Sequence, residues 1–383
     1  MFKNIIKISL RNIRKNKSHT IVNVVGLSLG ISAAVIIFSI LRFDLSFDNY
    51  HKDSDSIYRL VKTEQVGDGG EIVHDAGMPY PLRESFKEEF PDVEFLTFVD
   101  CNSLSGLVTV DYEGERKKYE EEIGVQAFVM QDFFKIFNYQ FLSGNPEKAL
   151  VDNYSVVLSK SLAEKYFGDY KKALGQTINI ENYFDVTVTG VVADPPMNTD
   201  LPLKMLLSFE IGGSERIWDS WTANSSSINV FVKLNTNADP NEFAKKIEDY
   251  IQKNKKEDDP KIVSLKLQPL SDVHFNENYF NAAGRVISYD QIYTLAIIGL
   301  LMVIAACINF INLNTASASL RSKEIGVRKV LGSARTLLIG QFLVETAITT
   351  FIAILFSLGL AELFSINIEY ILGYDIPAIV YNS

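Results

Sequence analysis

Three long stretches of this chain carry almost no charge, and they constrain everything else. Residues 21–41 read IVNVVGLSLGISAAVIIFSIL, and residues 292–311 read IYTLAIIGLLMVIAACINFI. A third run covers 337–364, is cleanest over 347–361, and is interrupted early by Glu345. About 20 predominantly apolar residues in a helix cross the hydrocarbon core of a bilayer. The pattern therefore predicts three transmembrane helices, over 19–42, 289–313 and 337–364, rather than buried helices of a water-soluble core. The first run exceeds the roughly 7–15 residues of a signal-peptide core, and no small-residue cleavage pattern follows it. It reads as a retained anchor.

Basic residues set the expected orientation. Lys3, Lys7, Arg11, Arg14, Lys15 and Lys17 precede the first run with no acid among them. Arg321, Lys323, Arg328, Lys329 and Arg335 lie between the second and third runs, against the single acid Glu324. Both segments should face the cytoplasm. The expected protein is multi-pass in the cell (inner, cytoplasmic) membrane, with a cytoplasmic N-terminus and residues 43–288 outside. The chain has a net charge of −10, but residues 43–290 alone hold 42 Asp and Glu against 25 Lys and Arg. The whole-chain charge is thus a sum of opposites and points to no nucleic acid. An acidic outer segment reads first as a solvated surface.

The outer segment alternates strand and helix signals. Residues 184–192 (FDVTVTGVV) and 228–234 (INVFVKL) read as strands. Residues 80–90, the later part of 155–168, and 240–254 read as helices, the last with Asp239 as N-cap and Pro240 in the first turn. The expectation is a large α+β domain inserted between the first two spans of an α-helical bundle. Its length predicts two subdomains, the second over about 122–225. GDGG at 67–70 reads as a hairpin turn, since no strand, glycine loop and helix with a lysine surround it.

No catalytic residues are assigned: H-E-x-x-H, G-x-S-x-G and G-x-x-x-x-G-K-[ST] are all absent. The two cysteines fall one in the outer segment (Cys101) and one in an apolar run (Cys307), which excludes a disulfide framework. His19, His51, His74 and His274 show no metal-ligand spacing and read as incidental surface residues. No cofactor and no metal is expected on this chain.

Residues 1–18 form an amphipathic pattern. At about 100° per residue, Phe2, Ile5, Ile6, Leu10 and Ile13 share one side, and Lys3, Lys7, Arg11, Arg14 and Lys15 the other. Such a helix would lie along the cytoplasmic leaflet, with the lipid bilayer as its partner; the alternative is a topology signal without an ordered helix.

Residues 314–336 join the second and third spans. If helical, Leu320, Val327, Val330, Leu331 and Ala334 share a face, an apolar stripe with charged margins suited to a groove on a partner. Gly326 and Gly332 would weaken or end the helix. An ordinary basic loop that only sets topology explains the same residues. Glu345 and Gln341, one helical turn apart, should face protein or water, since an acid in lipid is costly. They could lock helices in one state, or Glu345 could simply reach the interface.

The stretch RSKEIGVRKVLGS (321–333), followed by QFLVE (341–345), resembles FtsX-like and MacB-like ABC transporter permeases. FDNYHKDSDSIYRL (47–60), DFFKIFNYQFLSGNPEKAL (132–150), SVVLSKSLAEKYFG (155–168) and LQPLSDVHF (267–275) resemble the MacB-type extracytoplasmic domain. The resemblance implies a non-catalytic permease subunit. A separate cytoplasmic ABC ATPase dimer, with ATP and Mg, would drive movements of the outer domain for efflux or for extraction of a substrate outside. It also implies a second permease unit and other envelope proteins as partners. The ATPase-coupling role falls on Lys323, Glu324, Ile325, Gly326, Val327, Arg328, Lys329, Leu331 and Gly332. Family permeases carry four spans per unit, so the chain reads as the N-terminal part of a longer permease, with 365–383 as an extracytoplasmic tail. The competing readings are a membrane-anchored sensor or receptor with an outer ligand-binding domain, and a membrane-bound hydrolase. A sensor would normally continue into a cytoplasmic signalling domain.

Overall fold

The computed structural model describes residues 2–66, 70–101, 104, 106–122, 124–211, 221, 225–256, 261–281, 285–320 and 322–365. The middle of the turn at 67–70 and the tail beyond 365 lie outside them, as do the side chains of Lys3 and Glu324. The chain divides into two compact units, residues 1–45 with 289–383, and residues 46–288.

The first unit is helical. It comprises α1 (Phe2–Lys15), α2 (Lys17–Asp44), α8 (Tyr289–Leu320), α9 (Ser322–Val330) and α10 (Arg335–Ser365). Three of these, α2, α8 and α10, are long and apolar enough to cross a membrane. In lipid, helices gain little from hydrophobic burial, so close approach through small residues matters more. Gly26 and Gly30 of α2 supply it. A Cβ on Gly30 would lie 2.4 Å from Ala306 Cβ on α8, and one on Gly26 would lie 2.9 Å from Asn309 Nδ2. Leu27, Ala306 and Ala353 meet in a small buried core of the three helices.

The helices overrun the expected spans. α8 continues to Leu320, so residues 314–320 are not part of a loop. Their polar side chains bond back into the helix: Asn314 Nδ2 donates to the Phe310 carbonyl (2.9 Å) and Thr315 Oγ1 to that of Ile311 (2.8 Å). With those groups satisfied within the helix, nothing in NTASASL stops it.

The outer unit contains α3 (Leu82–Glu89), α4 (Phe133–Ile136), α5 (Lys160–Phe167), α6 (Pro240–Asn254) and α7 (Leu270–Val273). Its strands are β1 (Ile57–Val66), β2 (Glu71–Asp75), β3 (Val93–Asp100), β4 (Leu107–Tyr112), β5 (Glu115–Glu120), β6 (Gln126–Val129) and β7 (Phe141–Gly144), followed by β8 (Ser155–Ser159), β9 (Thr177–Ile180), β10 (Phe184–Val192), β11 (Met205–Ser208), β12 (Ile228–Leu234) and β13 (Lys261–Pro269). Among the described residues they join one sheet of order β13-β1-β12-β3-β6-β11-β8-β10-β9-β4-β5, with β2 on β1 and β7 on β10. Most neighbours are antiparallel; β8 with β10 and β6 with β11 run parallel. Residues 122–225 do not separate as a subdomain within this sheet, because β4, before that range and carrying β5 on its other edge, pairs onto β9 inside it.

Alternation along each strand feeds two cores, one per face. Val230 and Val232 of β12 join a core with Phe86, Leu162 and Ile247 from helices α3, α5 and α6. Phe231, between them, joins the opposite core with Phe133, Phe137 and Leu270. The expected cap is present, the Asp239 side chain accepting from Asn241 N–H; in addition Ser159 caps α5, and Gly168 ends α5 at φ 76°.

Candidate functional site

The connection between α8 and α10 carries the residues singled out above. Helix α9 stops at Val330 for a local reason. Gly332 adopts φ +87°, its N–H bonds to the Lys329 carbonyl (3.1 Å), and Ser333 N–H bonds to that of Arg328 (3.0 Å). This pair of bonds is the Schellman closure, which favours glycine at the left-handed position. Leu331 and Ala334 therefore leave the helical face, and the stripe expected from Leu320 to Ala334 is shorter than a continuous helix would make it. Val327, Val330 and Leu331 are nevertheless 60%, 89% and 80% exposed. Lys323, Gly326 and Lys329 are exposed too, while Ile325 and Arg328 are half-buried. Gly326 lies inside α9, and a Cβ there would meet nothing within 4 Å.

Gln341 and Glu345 form a fastening rail on α10. Arg328 Nη1 donates to Gln341 Oε1 (3.1 Å), tying α9 down. Ser9 Oγ donates to the Gln341 carbonyl (3.4 Å), and Asn12 Nδ2 donates to Glu345 Oε2 (3.3 Å), tying α1 to the same rail. Ser9 is fully buried. The reading of α1 as apolar on one side and basic on the other missed this polar edge; its signal is the i, i+3 spacing of Ser9 and Asn12. Lys7, Arg11, Arg14 and Lys15 stay exposed. Glu345 also lines a polar cavity of about 280 Å³ with His19, Asn23, Asn314, Thr346 and Thr349. There the His19 Nε2 lies 2.8 Å from the Leu313 carbonyl and its Nδ1 lies 3.3 Å from Asn23 Nδ2.

In the outer domain, two histidines overturn the surface reading. His51 and His274 are 4% and 1% exposed, held within a polar cluster with Asp48, Thr199 and Asp200. Each sits among aromatic rings, His51 between Tyr50 and Phe137 and His274 against Phe47. The aromatic neighbours in NYHKD and DVHF were the available signal. Among the described residues, no group of three or more His, Cys, Asp or Glu could hold a metal ion.

Three membrane-length helices with a large α/β domain between the first two define an integral membrane protein. Comparison with known families makes the class specific. The model of the MacB-like periplasmic core domain matches residues 20–250, and that of the FtsX-like permease C-terminal region matches residues 296–381. The chain belongs to the MacB/FtsX-like family of ABC transporter permeases, membrane proteins with an extracytoplasmic domain. It is 21% identical to the uncharacterized ABC transporter permease YvrN of Bacillus subtilis, over 98% of this chain and 91% of that protein. A domain of a putative permease from Porphyromonas gingivalis aligns with 66% of this chain and 98% of its own length, at 19% identity and a TM-score of 0.48. The periplasmic region of MacB from Actinobacillus actinomycetemcomitans aligns with 57% of this chain and 91% of its own length, at 14% identity and a TM-score of 0.38.

Proposed function

We propose that this chain is a non-catalytic permease subunit that converts ATP hydrolysis by a separate cytoplasmic ATPase dimer into movement of its outer domain. The observation that carries this reading is the exposed apolar group of Val327 and Val330 on a short helix, with Leu331 just past its end, the helix being pinned to α10 by Arg328. An apolar patch presented on a basic, braced helix is a ligand for a groove on another protein. The rail at Gln341 and Glu345 would pass displacement of α9 to α10 and α1. Lys323, Glu324, Ile325, Gly326, Lys329 and Gly332 complete the docking segment. By charge distribution this segment and the N-terminus face the cytoplasm of the inner membrane, and the basic side of α1 meets lipid headgroups. A second permease unit completes the membrane assembly. The work done outside is efflux or extraction of a substrate.

Affinity purification of the protein from its own membranes tests the proposal. An ATPase with a phosphate-binding loop should accompany the wild type. Each buried Val or Leu is worth about 1.5–3 kcal/mol, so Val330→Asp with Leu331→Asp should weaken capture by on the order of a hundredfold or more. Equal recovery of the ATPase with both proteins would refute docking at α9. Gly326→Leu or Arg328→Ala should leave outside work uncoupled from hydrolysis.

A further inference from the structure

A buried polar cluster in the outer domain plays no part in docking an ATPase, yet it occupies the two places where the domain is joined to the rest of the chain. Residues 46–51 follow α2, and, among the described residues, 270–281 and 285–288 precede α8. These are the covalent roots of the outer domain. They are far apart in sequence, and the short loop 198–201 bonds to both.

Toward the first root, the Asn198 carbonyl accepts the Asp48 N–H at 3.0 Å, and Asn198 Nδ2 donates to both the carbonyl and Oγ of Ser46 at 2.9 Å. Thr199 Oγ1 donates to Asp48 Oδ1 (2.5 Å), and the Asp200 N–H donates to Asp48 Oδ2 (3.1 Å). Toward the second root, Asp200 Oδ1 accepts from His274 Nδ1 and from Asn281 Nδ2, each at 2.9 Å. The roots also touch directly, with the Phe47 ring stacked on His274 at 3.5 Å between centroids. The His274 carbonyl accepts the Ile287 N–H (3.1 Å), which carries the connection toward the start of α8 in the chain.

The C-terminal end of the loop is anchored to the sheet. Leu201 and Leu203 are buried in the core beneath it, and Tyr139 Oη donates to the Leu201 carbonyl at 2.9 Å. Arg59 of β1 braces the second root, donating to Gln268 Oε1 and to the Phe280 carbonyl (2.6 Å). Asp48, Asp200, His274 and Arg59 are each no more than 2% exposed. Buried networks of this kind hold a single arrangement, because each broken bond strands a polar group away from water. If one root shifts by more than a hydrogen-bond length, several buried hydrogen bonds are lost at once unless the other root follows.

We infer that loop 198–201, with Asp200 as its positioning residue, latches the two roots into one rigid element, so that displacement arriving along either α2 or α8 moves the whole outer domain rather than bending one root. The role in transmission rests on the coupling reading above; the latch itself does not.

The test is hydrogen–deuterium exchange on the full-length protein in lipid nanodiscs. It compares wild type with Asp200→Asn, which keeps the side-chain size, and with Thr199→Val as a second, milder variant. Amides in 46–51 and in 272–281 should exchange together, on the order of tenfold faster than wild type, while β8 and β10 keep their protection. Faster exchange confined to 198–201, or a loss spread over the whole sheet in both variants, would overturn the latch. A second arm adds the co-purified ATPase and a non-hydrolysable ATP analogue. Wild type should then show exchange changes in both roots, and Asp200→Asn in one root only. Changes that stay paired in the variant would also overturn the latch. A wild type that responds at neither root refutes ATPase coupling, and the latch is then decided by the first arm alone.

Discussion

Asp48 and His51 sit one helical turn apart in the chain, and burial moves their titrations in opposite directions. Burial, reinforced by the Asp200 charge, pushes the Asp48 carboxyl up to about 8, while hydrogen bonds from Thr199 and the Asp200 backbone pull it back. Burial pulls His51 down to about 4. In an unfolded chain these groups titrate near ~3.9 and ~6.5. Between those values folding takes up a proton at Asp48 and releases one at His51, so the two contributions oppose. Above pH ~6.5 the unfolded chain has lost both protons while the folded domain still holds the one on Asp48, so stability must fall as pH rises. We expect the urea midpoint of the outer domain to decline from pH 6.5 to 8, and Asp48→Asn to abolish that decline. Tryptophan fluorescence reports it cleanly, because both tryptophans, Trp218 and Trp221, lie in the outer domain. An unchanged slope in the variant would assign the dependence elsewhere. Arg59 gives a larger effect by the same readout. Arg59→Ala would strand the Gln268, Asn229 and Phe280 oxygens that it now serves. Each buried oxygen left without a partner costs about 1–3 kcal/mol.

At the scale of elements, glycines of the first unit do different work, and substitution separates them. Gly30 is a packing residue: a leucine there would collide with Ala306 and force α2 away from α8. Gly332 is a conformational residue: an alanine there would be strained at φ +87°, costing on the order of 1 kcal/mol and fraying α9. Gly326 is neither, since its Cβ position is open. We therefore expect Gly30→Leu to lower the thermal midpoint in detergent markedly. Gly326→Ala should leave it unchanged or raise it slightly through helix propensity, about 1 kcal/mol. A strongly destabilised Gly326→Ala would mean that α9 packs against more than its own side chains.

At the scale of the whole molecule, orientation can be tested with two single cysteines in a background of Cys307→Ser, Cys101 being buried. Tyr183 and Leu331 are 81% and 80% exposed. A membrane-impermeant maleimide applied to intact cells should label Tyr183→Cys and should reach Leu331→Cys only after the membrane is opened. The reverse pattern would invert the orientation derived from the basic residues. The outer unit has its own sheet and two cores. Expressed alone as residues 46–288, it should unfold in one cooperative transition.

Three membrane-length helices, the mixed α/β character of the outer domain and the cap at Asp239 were legible in the sequence. Apolar run length, residue alternation and N-capping depend only on neighbours along the chain. The exposed valines of the α9 segment were visible as a periodic stripe, though the glycine stop that shortens it needed backbone angles. Only the tertiary structure decided the rest. It placed β4 beside β9, with β5 on β4's other edge, dissolving the expected subdomain boundary, because strand partners distant in sequence leave no periodic mark. It turned His51 and His274 from surface residues into buried ones. It also brought Asp48, Asp200 and His274 into one cluster from three separate segments. A lone polar residue carries no local sign of burial: its partners are set by which strands lie side by side, a property of the folded sheet rather than of any stretch of chain.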